Sequence, residues 1–125
     1  MADKLTEEEL EPIKSLIRGS SLNQQERESI LREITDRPLD ITRDPNYLIA
    51  TSLFTSELGD NRTSPMPATF IRGEMLDLDG TVVSASLSID SLGRFMEVDI
   101  YRRDEEPLQL WLPAVLTETI YTKRV

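Results

Sequence analysis

The stretch "LDLDGTVVSASLSIDSLG", Leu76 to Gly93, decides how this chain folds. It holds two acidic segments, Asp77-Leu78-Asp79-Gly80 and Asp90-Ser91-Leu92-Gly93, around a run in which serines alternate with aliphatics. Alternation with period two marks a strand that buries one face. Asp, Ser and Gly at both ends are turn formers. The stretch therefore reads as a strand between two hairpin turns. Its partners are "ATFIRGEML" (68–76) before it and "RFMEVDIY" (94–101) after it.

Hydrophobic pattern sets the register. With Leu78-Asp79-Gly80 as a three-residue loop and Gly80 left-handed, Asp77 pairs with Thr81. Met75, Gly73, Ile71 and Thr69 then face Val83, Ala85, Leu87 and Ile89, and one face is almost wholly apolar. A two-residue turn would set Arg72 against Leu87, and a slip of one residue sends every side chain to the wrong face. The same test predicts an even-length second turn around Leu92-Gly93. A three-residue loop there would place Leu87 against Glu97. An even loop sets Asp90 against Phe95, Ile89 against Met96, Leu87 against Val98 and Ala85 against Ile100. The opposite face then carries Arg72, Glu74, Ser84, Ser86, Ser88, Asp90, Phe95, Glu97, Asp99 and Tyr101.

Upstream, "LTEEELEPIKSLIRG" reads as a helix. Thr6 and Glu9 form a capping box, Leu5 and Leu10 a hydrophobic staple, and Leu10, Ile13, Leu16 and Ile17 recur at helical spacing. Pro12 breaks the pattern, so a kink is expected, or a helix that begins in earnest near Pro12. "NQQERESILREITDRP" repeats the logic with Asn23 and Glu26, and Pro38 ends that helix by Arg37. The two are expected as an antiparallel pair joined through "GSSL".

Leu39 and Ile41 alternate as a short strand, Asp44-Pro45-Asn46 is a turn, and the short apolar run "YLIATSLF" fits a buried strand or a turn and a half of helix, with the strand preferred. Thr55 to Pro67 is a long polar loop, of a length often found at binding sites. "EEPLQLWLP" adds a short fourth element to the meander, with Trp111 read as core or an edge plug. "AVLTETIYTKRV" either docks as a last strand or stays loose. The expected fold class is α+β. Two N-terminal helices (about 6–37) pack on one face of an antiparallel β-meander of four to six strands (about 39–125), in a single domain over 1–125.

Composition limits the chemistry. With 125 residues the chain suits one domain. It has neither cysteine nor histidine, which excludes disulfides, Cys-based zinc sites, triads and His-dependent metalloenzymes. The net charge of −9 argues against nucleic acid and against anionic membranes, and favours a basic partner. No run approaches a membrane span and the start is no signal peptide, so a cytoplasmic protein is expected.

"DLDG" is no calcium loop. Counted from Asp77, the twelfth position, where an EF-hand needs a bidentate Glu, is Ser88. No cofactor and no metal are expected. Glu97 and Asp99 lie two apart on one strand, at a spacing of ~7 Å used by some inverting glycosidases. That leaves a small carboxylate hydrolase as a minor alternative. "YRRDEEP", Tyr101 to Pro107, reads as a solvated turn.

The order of segments resembles an uncharacterised family of small bacterial domains. The pieces that carry the likeness are Leu5-Thr6-Glu7-Glu8-Glu9, Asp77-Leu78-Asp79-Gly80, Val83-Ser84-Ala85-Ser86-Leu87 and Phe95-Met96-Glu97-Val98-Asp99-Ile100-Tyr101. The resemblance as a whole spans about half of the chain. Two departures stand out: "NYLIATSLF" replaces the family's Gly-rich middle, and Tyr101-Arg102 replaces its Trp-Lys. The resemblance supports the fold order and implies no activity. In class the chain is also similar to immunity proteins of bacterial toxin systems, which are small, acidic, cysteine-poor and α+β. The expected function is a non-enzymatic protein-binding domain, most specifically an immunity protein that neutralises a basic toxin domain. Its expected partner surface is Arg72, Glu74, Ser86, Ser88, Asp90, Phe95, Glu97, Asp99 and Tyr101. The alternative is a regulatory or structural domain that binds itself or another protein.

Overall fold

A computed structural model describes residues 2–43, 49–53, 66–104, 106 and 115–125. In chain order the elements are β1 (Ala2–Asp3), α1 (Glu7–Arg18), α2 (Gln24–Asp36), β2 (Leu39–Arg43), β3 (Ile49–Leu53), β4 (Pro67–Leu76), β5 (Val82–Asp90), β6 (Phe95–Arg102), a 3-10 turn (Thr117–Thr119) and β7 (Tyr121–Arg124). One antiparallel sheet runs β1-β2-β3-β6-β5-β4-β7. The β4–β5–β6 meander is its centre. The expected α+β arrangement is the one that forms. The turn at Asp44-Pro45-Asn46, most of the Thr55–Pro67 loop, and Trp111 with nearly all of "EEPLQLWLP" lie outside the described residues.

Both helices start on complete capping boxes, Thr6 with Glu9 and Asn23 with Glu26. Pro12 does not delay α1, which begins at Glu7 with Pro12 inside it and buried. The cap, the acidic first turn and the buried stripe of Leu10, Ile13, Leu16 and Ile17 outweigh the one lost backbone bond. That stripe meets Ile30 and Ile34 of α2 and the inner sheet face, where Ile71, Met75, Val83, Ala85, Leu87, Val98 and Ile100 are all buried. Gly73 permits the close approach of α1. A Cβ there would lie 2.9 Å from Leu16 Cδ1 and 2.9 Å from Val115 Cγ1. Buried Glu9 also ties the layers together through Arg43 at the end of β2, at 2.7 and 2.8 Å. Burial works to raise its pKa, but the Arg43 hydrogen bonds hold it below the usual carboxylate range.

The β4–β5 register is the expected one throughout Thr69–Met75, opposite Ile89–Val83. The second hairpin differs from expectation. Its loop is also three residues long: the Asp90 N–H donates to the Arg94 carbonyl (2.9 Å) and the Gly93 N–H to the Asp90 carbonyl (3.0 Å). A bulge then corrects the ladder. Ile89 faces Phe95, but Ser88 faces Glu97, so Met96 is an extra residue. Leu87 still meets Val98 and Ala85 still meets Ile100. The expected even loop thus gives way to an odd loop plus one inserted residue, and the pairing of Asp90 with Phe95 is corrected with it.

The end of the chain docks. Tyr121–Arg124 pairs with β4 at Arg72–Thr69 as an edge strand. Ahead of it, the Thr119 hydroxyl accepts the Glu74 N–H at 2.8 Å.

Candidate functional site

The outer sheet face is built from rows of residues in cross-strand register. One row is Tyr121, Arg72, Ser86 and Asp99, from β7, β4, β5 and β6. The next holds Glu74, Ser84 and Tyr101. Together they line a shallow groove of about 460 Å³, with Arg103 and Thr119 completing its rim. Serines and the backbone at Gly73 and Ala85 make the floor low. Tyr101 and Tyr121 are both well exposed, at 44% and 57%. Amphipathic rings standing over a floor of small residues suit a docking partner.

Charge in the groove is mixed. The Arg103 guanidinium donates to Glu74 at 2.8 Å and to the Ser84 hydroxyl at 3.3 Å. Arg72 is exposed and makes no side-chain ion pair among the described residues. Asp99 is half-buried, and burial pushes its carboxyl pKa up. Glu97 is exposed one row away, between Ser88 and β3. Lys123 shares the register row of Phe70 and Ser88. Within the groove, Arg72 and Arg103 thus balance Glu74 and Asp99. Beyond it, Lys123 faces Glu97 and Asp40, which share a register row through Ser52 of β3.

Of the expected surface, Arg72, Glu74, Ser86, Asp99 and Tyr101 come together, and Glu97 stands beside them. Three residues do not take the place expected. Phe95 is fully buried, because the odd loop turns it into the core. Its N–H donates to Glu33 of α2 at 2.9 Å, and burial raises the pKa of that carboxyl. Asp90 is buried, folded over its own turn. It accepts the N–H groups of Leu92 and Arg94 at 2.9 Å and the Arg94 guanidinium at 3.0 Å. Ser88 is buried as well, and its Oγ has no hydrogen-bond partner among the described residues.

Arg103, Thr119 and Tyr121 were not among the expected site residues. The Tyr121/Lys123 alternation in "IYTKRV" was the available signal. It counts only if the segment docks as a strand.

At the far end of the hairpins, the expected solvated turn contains a buried cation. Arg102 is 4% exposed and binds Asp77 (2.8 Å), Asp79, Asp104 (2.7 and 2.8 Å) and the Thr81 hydroxyl (3.1 Å). The Arg102 contact holds Asp104 down to about 2, and the hydrogen bonds that Arg102 donates to Asp104, Asp77 and Asp79 raise its own pKa against the effect of its burial. "DLDG" therefore receives an arginine. Its aspartates also cap the loop, Asp77 accepting the Leu78 N–H and Asp79 the Thr81 N–H. No helix among the described residues is long and apolar enough to cross a membrane.

Fold and site together define a small α+β domain: a helix pair over one face of an antiparallel sheet, with a tyrosine-rimmed groove on the other. Its sequence places it further. The chain belongs to the family described as a domain of unknown function, DUF6984, whose model matches residues 46–112. That span contains the meander and most of the groove, and excludes both helices and β7. No curated protein and no solved structure matches the chain.

Proposed function

We propose that this chain is a non-enzymatic protein-binding domain that docks its partner on the outer sheet face, in its most specific form an immunity protein that neutralises a basic toxin domain. The observation that carries the reading is the groove, in which exposed Tyr101 and Tyr121 rise beside Ser84 and Ser86. Such rings supply large contact area at low conformational cost, and small residues between them let a partner's backbone approach. The net charge of −9 draws a basic protein from a distance, while the balanced groove orients it at close range.

The test is recovery of the tagged protein from its native host beside a Tyr101→Ala/Tyr121→Ala double variant. A basic protein is expected at one-to-one stoichiometry with the wild type and is lost with the variant. Retention by the variant would remove the outer face as the docking surface. Recovery of a symmetric dimer with no other protein would favour the self-associating alternative.

A further inference from the structure

Asp99 is out of keeping with its surroundings. The other carboxylate lining the groove, Glu74, is already paired with Arg103 at 2.8 Å. Asp99 is half-buried, yet it has no hydrogen bond or ion pair among the described residues. Its cross-strand partners, Ser86 on β5 and Ala50 on β3, bring no charge. Desolvation is the one influence acting on its pKa. A carboxylate held half out of water without a cation carries a cost that an arriving cation removes.

We infer that Asp99 is the counter-ion for a lysine or arginine side chain of the docked partner, which lies over Ser86 and against the Tyr101 ring. The inference rests on the docking reading above and names the chemistry of its anchor. Tyr101 follows Asp99 by two residues on the same face, ~7 Å along β6, so a cation bound to the carboxylate lies within reach of its ring. Glu97, two residues before Asp99 on that face, adds a second negative charge at similar distance. Arg72 is in the same row but two strands away, ~10 Å across the sheet, and its exposed guanidinium keeps its water. It therefore suits a carbonyl or carboxylate at the other end of the bound segment. The buried cost sits at Asp99, so the cation is the anchor.

The probe is the peptide acetyl-Gly-Arg-Gly-Gly-amide, compared with the same peptide carrying citrulline, which keeps the shape and loses the charge. Both are titrated into the full chain and followed by amide NMR shifts. The arginine peptide is expected to shift Ser86, Asp99 and Tyr101 saturably, with the citrulline peptide weaker by at least roughly tenfold. Asp99→Asn is expected to weaken the arginine peptide by a similar factor, and Glu8→Gln on α1 to leave it unchanged. Asp99→Ser, checked by its own amide spectrum, repeats the test if the first variant folds poorly. Equal binding of the citrulline peptide in the groove would overturn the counter-ion while leaving the groove as a docking site. Shifts confined to other surfaces, no shifts, or undiminished binding by Asp99→Asn would also overturn it. The docking reading itself stands or falls separately, on the Tyr101→Ala/Tyr121→Ala recovery.

Discussion

The turns at Leu78–Gly80 and Ser91–Gly93 are built alike. Each is three residues long, each ends on a glycine at positive φ (84° and 80°), and each comes after an aspartate whose carboxylate caps the loop. The strands that leave them differ. β4 and β5 run from the first turn in unbroken register as far as Thr69, whereas β6 leaves the second with one residue too many and absorbs it as a bulge at Met96. Turn chemistry therefore chooses the loop, and apolar pattern chooses the register. Where the two conflict by one residue, the chain keeps both and bulges.

Single-residue deletions are the hardest test of that contrast. Removing Glu74, inside the unbroken ladder, turns half of β4 inside out, and no cooperative melting transition is expected. Removing Met96 takes away only the surplus residue, leaving Phe95 inward and Glu97 outward. That variant is expected to fold at a cost of no more than about 2 kcal/mol. A Met96 deletion that fails to fold would show that the bulge is required rather than tolerated.

Side chains beyond the second turn sharpen the comparison. Phe95→Ala empties a fully buried site and is expected to cost about 3–5 kcal/mol by urea denaturation. Tyr101→Ala, on the same strand but facing the groove, is expected to cost less than about 1 kcal/mol. Similar losses would contradict the assignment of the two rings to opposite faces.

The turns themselves are expected to show modest and equal effects. A Cβ on Gly80 or Gly93 meets nothing within 4 Å, so alanine there costs only the left-handed backbone, about 1–2 kcal/mol at each turn. Unequal losses in thermal melts would mean that the two turns are not equivalent after all.

Much of this fold can be read from residue order. Capping boxes at Thr6 and Asn23, the stop before Pro38 and the first hairpin register all come from short-range chemistry, because the deciding residues are within a few positions of each other. The site was less legible, for two physical reasons. A bulge leaves no mark in a two-residue period except a phase jump, which an even-length loop mimics equally well. That ambiguity placed Phe95 on the wrong side, whereas Asp90 leaves the docking surface because its carboxylate turns back to cap its own loop. The groove also needs Tyr121 and Thr119, which reach it only because β7 docks against β4, a pairing about 50 residues distant in sequence. Arg102 was hidden for a similar reason. Its partners Asp77 and Asp79 come from the preceding hairpin, so "YRRDEEP" alone looks like a solvated run.

The strand order has a mechanical consequence. The first strand, β1, and the last, β7, are the two edges of the sheet. A pull applied between them acts across the strands, along the ladder hydrogen bonds rather than along the chain direction. Loaded that way, the bonds part ladder by ladder instead of shearing together. The β1 edge, which among the described residues pairs through Ala2 with Asp40 and Asp3 with Leu39, would yield first.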